Sequence, residues 1–202
     1  MAEKYKADVI GITISDYQIN LANSYAKKSS ASNRLRFLKR SYLNTEFEDN
    51  SFTKVVGLES TCYAHDKKDF VSEAYRVLKP GGKMLMMDAF RIRTEMTKKE
   101  QNHFQTFLKG WALPNLAHLE VLKQNFNEIG FKNIRYYDTT ELIKKTIKTV
   151  YYNALVAYPI TWLLTKLNLV DQSVHGTAKA GLAQKYIIQD GTTVYGCIVG
   201  EK

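Results

Sequence analysis

Along the chain, short runs dense in β-branched and aliphatic residues alternate with stretches whose apolar positions recur every three or four residues. Ala7 to Thr13 (ADVIGIT) is such a run and predicts a strand buried on both faces of a parallel sheet. From Ser15 the pattern changes: SDYQINLANSYAKK opens on a residue suited to cap a helix, sets Tyr17, Leu21 and Tyr25 at intervals of four, and closes on lysines. Arg36 to Tyr42 predicts a weaker strand, TEFEDNSF a polar turn, and Thr53 to Leu58 (TKVVGL) another buried strand.

Lys67 to Leu78 predicts a helix with Phe70, Val71, Ala74, Val77 and Leu78 on one face, stopped by Pro80-Gly81-Gly82 ahead of a strand from Lys83 to Asp88. Helices are expected over Thr97 to Gly110 and Leu116 to Ile129, the second closed by Gly130, and a strand over Phe131 to Tyr137. Glu141 to Val170 reads as a long helical stretch interrupted at Pro159, Val174 to Ile188 as a helix, and Thr193 to Val199 as a last strand. Strands alternating with helices predict an α/β fold with a Rossmann-like, doubly wound, mostly parallel sheet, whose ligand edge lies at the carboxyl ends of the strands. A chain of 202 residues with 45% hydrophobic side chains fits a single domain, 1–202, in which 138–190 forms a helical insertion before the final strand.

Composition narrows the function classes. Two cysteines, Cys62 and Cys197, fit neither a disulfide framework nor a zinc cluster, and the N-terminus lacks a secretory pattern, so the expected compartment is the cytoplasm. A net charge of +9 is spread along the chain without a nucleic-acid-binding signature, so no nucleic-acid partner is expected. The same charge suits an anionic membrane surface, leaving peripheral membrane association open. The oligomeric state is open too.

Three segments, VIGITISDYQINLA, FEDNSFTKVVGLESTCYAHDKKDFVSEAYRVLKPGGKMLMMD and GWALPNLAHLEVLKQNFNEIGFKNIRYYD, together resemble the class I S-adenosylmethionine-dependent methyltransferases of the tocopherol, sterol and cyclopropane-fatty-acid type. The resemblance implies the seven-stranded methyltransferase sheet, S-adenosyl-L-methionine as cofactor, and a small, lipophilic methyl acceptor. It also implies cofactor contacts from Thr13, Ser15, Gln18, Ser41, Tyr42, Leu58 and Glu59, and an acceptor site at Tyr63, Asp88 and Trp111. Members of the family begin with a strand ending in a D-x-G-x-G-x-G loop, and none of the eleven glycines here forms such a cluster. The sheet is therefore expected to lack its first strand, which the family places between Ala7–Thr13 and Thr53–Leu58. On this reading the chain is a partial gene product that binds the cofactor weakly. Ser41 stands where many relatives carry an acid that accepts from the adenine amino group.

The residues allow a chemistry and a plainer alternative at each position. Thr13, Ser15 and Gln18 sit where a strand ends and a helix starts, so they can meet a ribose, or Ser15 can simply cap its helix. Glu59, Tyr63 and His65 follow a strand directly. Histidine is the side chain suited to accept a proton near neutral pH, which makes His65 and Glu59 the catalytic candidates, while a surface loop with His65 capping the next helix is the alternative. No metal-ligand spacing is found. Val150 to Val170 has the length of a membrane span but carries Asn153, Pro159, Thr161, Thr165, Lys166 and Asn168, so a substrate lid, an interfacial helix and a span all remain open. A non-catalytic remnant or membrane-surface protein that keeps this fold is the alternative function.

Overall fold

A computed structural model describes all 202 residues, Met1 to Lys202, which divide into two compact units, 1–49 and 50–202. In the first unit a short helix α1 (Ala2–Tyr5) precedes β1 (Val9–Thr13), α2 (Asp16–Ala26) and β2 (Leu35–Lys39). β1 and β2 pair in parallel from Val9 opposite Leu35 to Thr13 opposite Lys39, so the unit is one βαβ crossover. β2 stops at Lys39, short of Tyr42, because Ser41 turns back to bridge Asn44. A two-stranded sheet offers little surface to cover a helix, and α2 buries no residue: Tyr17, Leu21 and Tyr25 are all exposed.

The second unit contains β3 (Phe52–Leu58), α3 (Lys67–Val77), β4 (Leu78–Arg91), α4 (Lys98–Gly110), α5 (Leu119–Ile129), β5 (Lys132–Asp138), α6 (Thr140–Lys166), α7 (Gln172–Gln189) and β6 (Thr193–Glu201). Its sheet runs in the order β3-β4-β6-β5. β3 is parallel to β4, and β6 is antiparallel to both β4 and β5. The sheet is thus mixed, and β3 is an edge strand. That corrects the expectation of a buried strand: Gly57 lies against Phe70 of α3 on one face, while Val56 and Leu58, on the other face, are exposed.

Two further departures have local causes. β4 begins at Leu78, directly after α3, and takes Pro80-Gly81-Gly82 into the strand as an irregularity of register, with Gly81 at φ 74. Asp88 consequently lies inside β4, three residues before Arg91, rather than at its end. α6 runs unbroken through Pro159. The proline lacks the N–H that would bond the carbonyl of Leu155, a loss of about 3 kcal/mol for an isolated helix, which the packing of α6 along α7 offsets.

The expected amphipathic helix α3 is as the spacing predicts, with Phe70, Val71, Ala74 and Val77 buried. It packs on α5, while α4, α7 and α6 form a second helical group. There Cys62, Phe104, Phe107, Leu108, Leu116, Ala183 and Ile187 make an apolar cluster. α4 starts with a reciprocal capping box between Thr97 and Glu100 and ends where its backbone meets α7. The close approach needs a residue without a side chain, since a Cβ on Gly110 would stand 2.6 Å from the Cβ of Ala180 and overlap the Gly176 carbonyl. Gly110→Val should therefore destabilise the fold by about 1–3 kcal/mol in urea unfolding, because backbone cannot yield as a flexible side chain would. An unchanged midpoint would show that α4 and α7 are not packed this closely.

Candidate functional site

The predicted site residues fall into two groups. Thr13, Ser15, Gln18, Ser41 and Tyr42 belong to the first unit, and Leu58, Glu59, Tyr63, His65, Asp88 and Trp111 to the second.

In the first unit, Thr13 closes β1 and Ser15 caps α2, its side chain accepting from the Gln18 N–H at 3.3 Å. The Thr13 hydroxyl donates to Gln18 Oε1 at 2.6 Å and accepts from the Ser15 N–H at 3.2 Å. Capping and clustering are therefore not alternatives here: the cap holds Gln18 where Thr13 can fix its amide. The group is exposed, so Gln18 keeps an amide N–H₂ facing solvent at the end of a parallel strand. Ser41 accepts from the Leu43 N–H at 3.2 Å, and Tyr42 is half-buried beside it.

In the second unit the loop after β3 is held by buried polar groups. Glu59 extends the ladder by one bond, its N–H donating to the Met87 carbonyl at 2.9 Å, and then turns the chain away at φ 46. A side chain in left-handed conformation costs on the order of 1 kcal/mol and persists where its surroundings over-determine it. Those surroundings start with Asp88, buried in β4, which accepts from the Thr61 hydroxyl at 2.9 Å, the Cys62 N–H at 3.0 Å and the Ala89 N–H at 2.9 Å. Lys67, also buried, donates to the carbonyls of Cys62 (2.9 Å) and Ala64, and to the carbonyl (3.3 Å) and side-chain oxygen (2.8 Å) of Asn115. Asn115 in turn donates to the His65 carbonyl at 2.8 Å.

This frame presents Glu59 to Tyr195 of β6, whose hydroxyl donates to Glu59 Oε1 at 2.5 Å. Tyr63 stands exposed on the same loop, and Leu58 is exposed just before it. Burial, then the bond to Glu59, pushes the Tyr195 phenol above its ordinary range, and burial, followed by the Cys62 thiol and nearby carboxylates, does the same for Tyr63. Burial, reinforced by Asp88, pushes the Cys62 thiol up to about 12, which makes it unreactive.

Three assignments change. His65 lies exposed with no hydrogen bond from its ring, and Asp66, not His65, caps α3 by accepting from the Lys68 N–H at 2.8 Å. The loop therefore lacks any partner that would orient His65 as a base. Asp88 is consumed by the three bonds that brace the loop, so it supports the site instead of facing an acceptor. Trp111 ends α4 and packs against the Phe104–Phe107 cluster, where it contributes apolar wall. Tyr195 and Lys67 were not recognised in the sequence. Tyr195 is 136 residues from Glu59, and only the antiparallel pairing of Ala89 with Tyr195 reveals the partnership.

Asp88 makes stability depend on pH. Burial raises its carboxyl above the usual range, with the Thr61 hydroxyl and the two N–H groups opposing that rise. The folded protein therefore keeps this proton after the unfolded chain has lost it. The contribution is largest below the ordinary carboxyl range and declines as pH rises through the native value. Asp88→Asn should remove that decline, so the stability of wild type relative to the variant should fall as pH is raised above about 4 in paired urea titrations. A difference that grows with pH would contradict it.

The family described as a methyltransferase domain matches residues 1–86. In sequence the chain is similar to the sterol 24-C-methyltransferase of Saccharomyces cerevisiae, 33% identical over 130 residues, covering 62% of this chain and 33% of that protein. The Pneumocystis carinii sterol 24-C-methyltransferase is 41% identical over 131 residues, covering 63% of this chain and 34% of the relative. The chain thus spans about a third of the length of the curated relatives it matches. Among solved structures, a phosphoethanolamine N-methyltransferase from Haemonchus contortus, in complex with S-adenosyl-L-methionine, superposes with a TM-score of 0.76 at 21% identity, over 100% of this chain and 44% of that one. Geranyl diphosphate C-methyltransferase from Streptomyces coelicolor gives 0.73 at 19% identity, over 99% of this chain and 64% of its own.

Proposed function

We propose that this chain, which has the class I S-adenosylmethionine-dependent methyltransferase fold and whose residues 1–86 belong to the methyltransferase-domain family, transfers a methyl group to a carbon of a small, lipophilic acceptor. The observation that carries the acceptor side is the short Tyr195–Glu59 hydrogen bond at the carboxyl end of β3. It fixes one carboxylate oxygen and leaves the other free at a loop edge that also carries Leu58 and Tyr63.

The Lys67 ammonium is not free to hold an acidic acceptor, because it is spent on four oxygens of the protein. An acceptor recognised by apolar contact fits the exposed side chains of Leu58 and Tyr63 that flank Glu59 on this loop. The names of the sterol relatives favour a sterol-like isoprenoid acceptor. When bound, S-adenosylmethionine supplies an electrophilic methyl group. Thr13 and Gln18 offer a hydroxyl and an amide at a strand end, a pair suited to ribose hydroxyls.

As the methyl–sulfur bond breaks and the carbon–carbon bond forms, with S-adenosylhomocysteine as leaving group, Glu59 would place negative charge where positive charge develops on the acceptor and would then take the proton that the methylated carbon framework releases. Tyr195 is the positioning residue, holding the carboxylate in one orientation. Tyr63 lines the approach.

Methyl transfer from radiolabelled S-adenosylmethionine to sterol and isoprenoid alkenes is the direct assay. Glu59→Gln should lower kcat by about a hundred-fold or more, the range of a lost proton acceptor. Tyr195→Phe should lower kcat by about ten- to a hundred-fold, the value of a hydrogen bond to a charged group, while leaving the Kd for S-adenosylhomocysteine unchanged. Transfer confined to polar amines, or full activity in both variants, would refute this assignment. On the cofactor side, Thr13→Ala combined with Gln18→Ala should weaken S-adenosylhomocysteine binding by about ten-fold or more in isothermal titration. Unchanged binding would remove these residues from the cofactor site.

A further inference from the structure

We propose that α6 is a membrane-docking helix that lies in the plane of an anionic lipid surface, its outward apolar stripe in the acyl boundary and lysines at its flank on the headgroups. Tyr152, Val156, Ile160, Leu163 and Leu167 follow one another at helical intervals of three or four, and each is more than half exposed. Ile147 and Ala154, the residues α6 buries, lie on the opposite side, and α7 is the helix that α6 packs on. A stripe of this size on a soluble surface marks an interaction site.

Charge identifies the occupant. From Thr149 to Thr165 α6 carries no charged residue, while Lys144, Lys145 and Lys148 precede this stretch and Lys166 follows it. Along the flank of the stripe lie two recesses. One, of about 520 Å³, is lined by Lys144, Lys148 and Lys185 with Tyr151 between them. The other, of about 790 Å³, is lined by Lys109, Lys166 and Lys179 with Trp162 at its rim. Neither has a carboxylate in its lining. Lys144 is shared with Glu141 at 2.6 Å, whereas Lys185 and Lys148 rest over the rings of Tyr151 and Tyr152. Apolar stripe, interfacial aromatics and flanking lysines are the three features of a helix that binds an anionic bilayer.

The geometry disfavours other occupants. No helix is long and apolar enough to cross a membrane, so α6 lies on the surface. A second copy laid on the same stripe would bring two sets of lysines together in a chain already at +9.

Co-sedimentation of the full chain with phosphatidylcholine vesicles, with and without phosphatidylglycerol, tests the proposal. Binding should require phosphatidylglycerol and fade with added salt. Val156→Asp with Leu163→Asp should reduce partitioning by at least ten-fold, and Lys148→Glu with Lys185→Glu by about thirty-fold, at about 1 kcal/mol per lysine. All four positions are at the surface, so far-UV circular dichroism should stay as in wild type, and the salt and lipid dependence of the wild type stands without any variant. Absence of binding, equal binding to neutral vesicles, or binding that survives the stripe variant would overturn the proposal. So would a dimer in sedimentation velocity that the stripe variant dissociates, since the stripe would then be covered by a second copy.

Discussion

Two opposite charges buried under one loop set the form of the second unit's site. Asp88 and Lys67 are 4% and 5% exposed, and neither could be buried so without partners. Asp88 bonds the Thr61 hydroxyl and the Cys62 N–H, and Lys67 bonds the Cys62 and Ala64 carbonyls together with Asn115. The middle of the loop is thereby held from beneath by both charges. A residue at positive φ then becomes tolerable at Glu59, because the only alternative is to break bonds that nothing else would replace. The orientation of the Glu59 carboxylate, and with it the proposed chemistry, follows from groups that never touch an acceptor.

The sheet order carries the same constraint outward. β6 returns antiparallel between β4 and β5, which sets Tyr195 opposite Ala89, one residue past Asp88. A parallel strand in that position, with another register, would present a different side chain to Glu59. The phenol thus reaches the loop through backbone pairing, and the helical group of α4, α6 and α7 lies over the apolar cluster that extends from Cys62. The close approach of Gly110 to Gly176 and Ala180 ties α4 to α7 within this group.

Much of this was legible in the sequence, and the reasons for the rest are physical. Periodicity located the helices, since Phe70, Val71, Ala74 and Val77 must share a buried face, and the capping residues Ser15 and Thr97 behave as their types predict. The loop carrying Glu59, Tyr63 and His65 was recognisable as a candidate site because it follows a strand at a ligand edge. What periodicity cannot express is pairing between distant strands. Neither Tyr195 nor Lys67 carries a local signal of its role, because Glu59 lies 136 residues from Tyr195 and Asn115 lies 48 residues from Lys67. The run Thr53 to Leu58 read as buried because an apolar run does not disclose whether one face of its strand is covered or both. Pro159 reads as an interruption because its local cost is visible in the sequence and the packing of α6 along α7 is not.

On the proposed function, the Glu59–Tyr195 pair faces the methyl acceptor. The most direct measurement is NMR of the protein labelled in its tyrosine rings, titrated with an isoprenoid alkene in the presence of S-adenosylhomocysteine. The account predicts that the ring signals of Tyr195 and Tyr63 shift together and saturate at one affinity, with Tyr137, exposed on β5, unmoved. Saturable shifts elsewhere, with Tyr195 and Tyr63 unchanged, would contradict it.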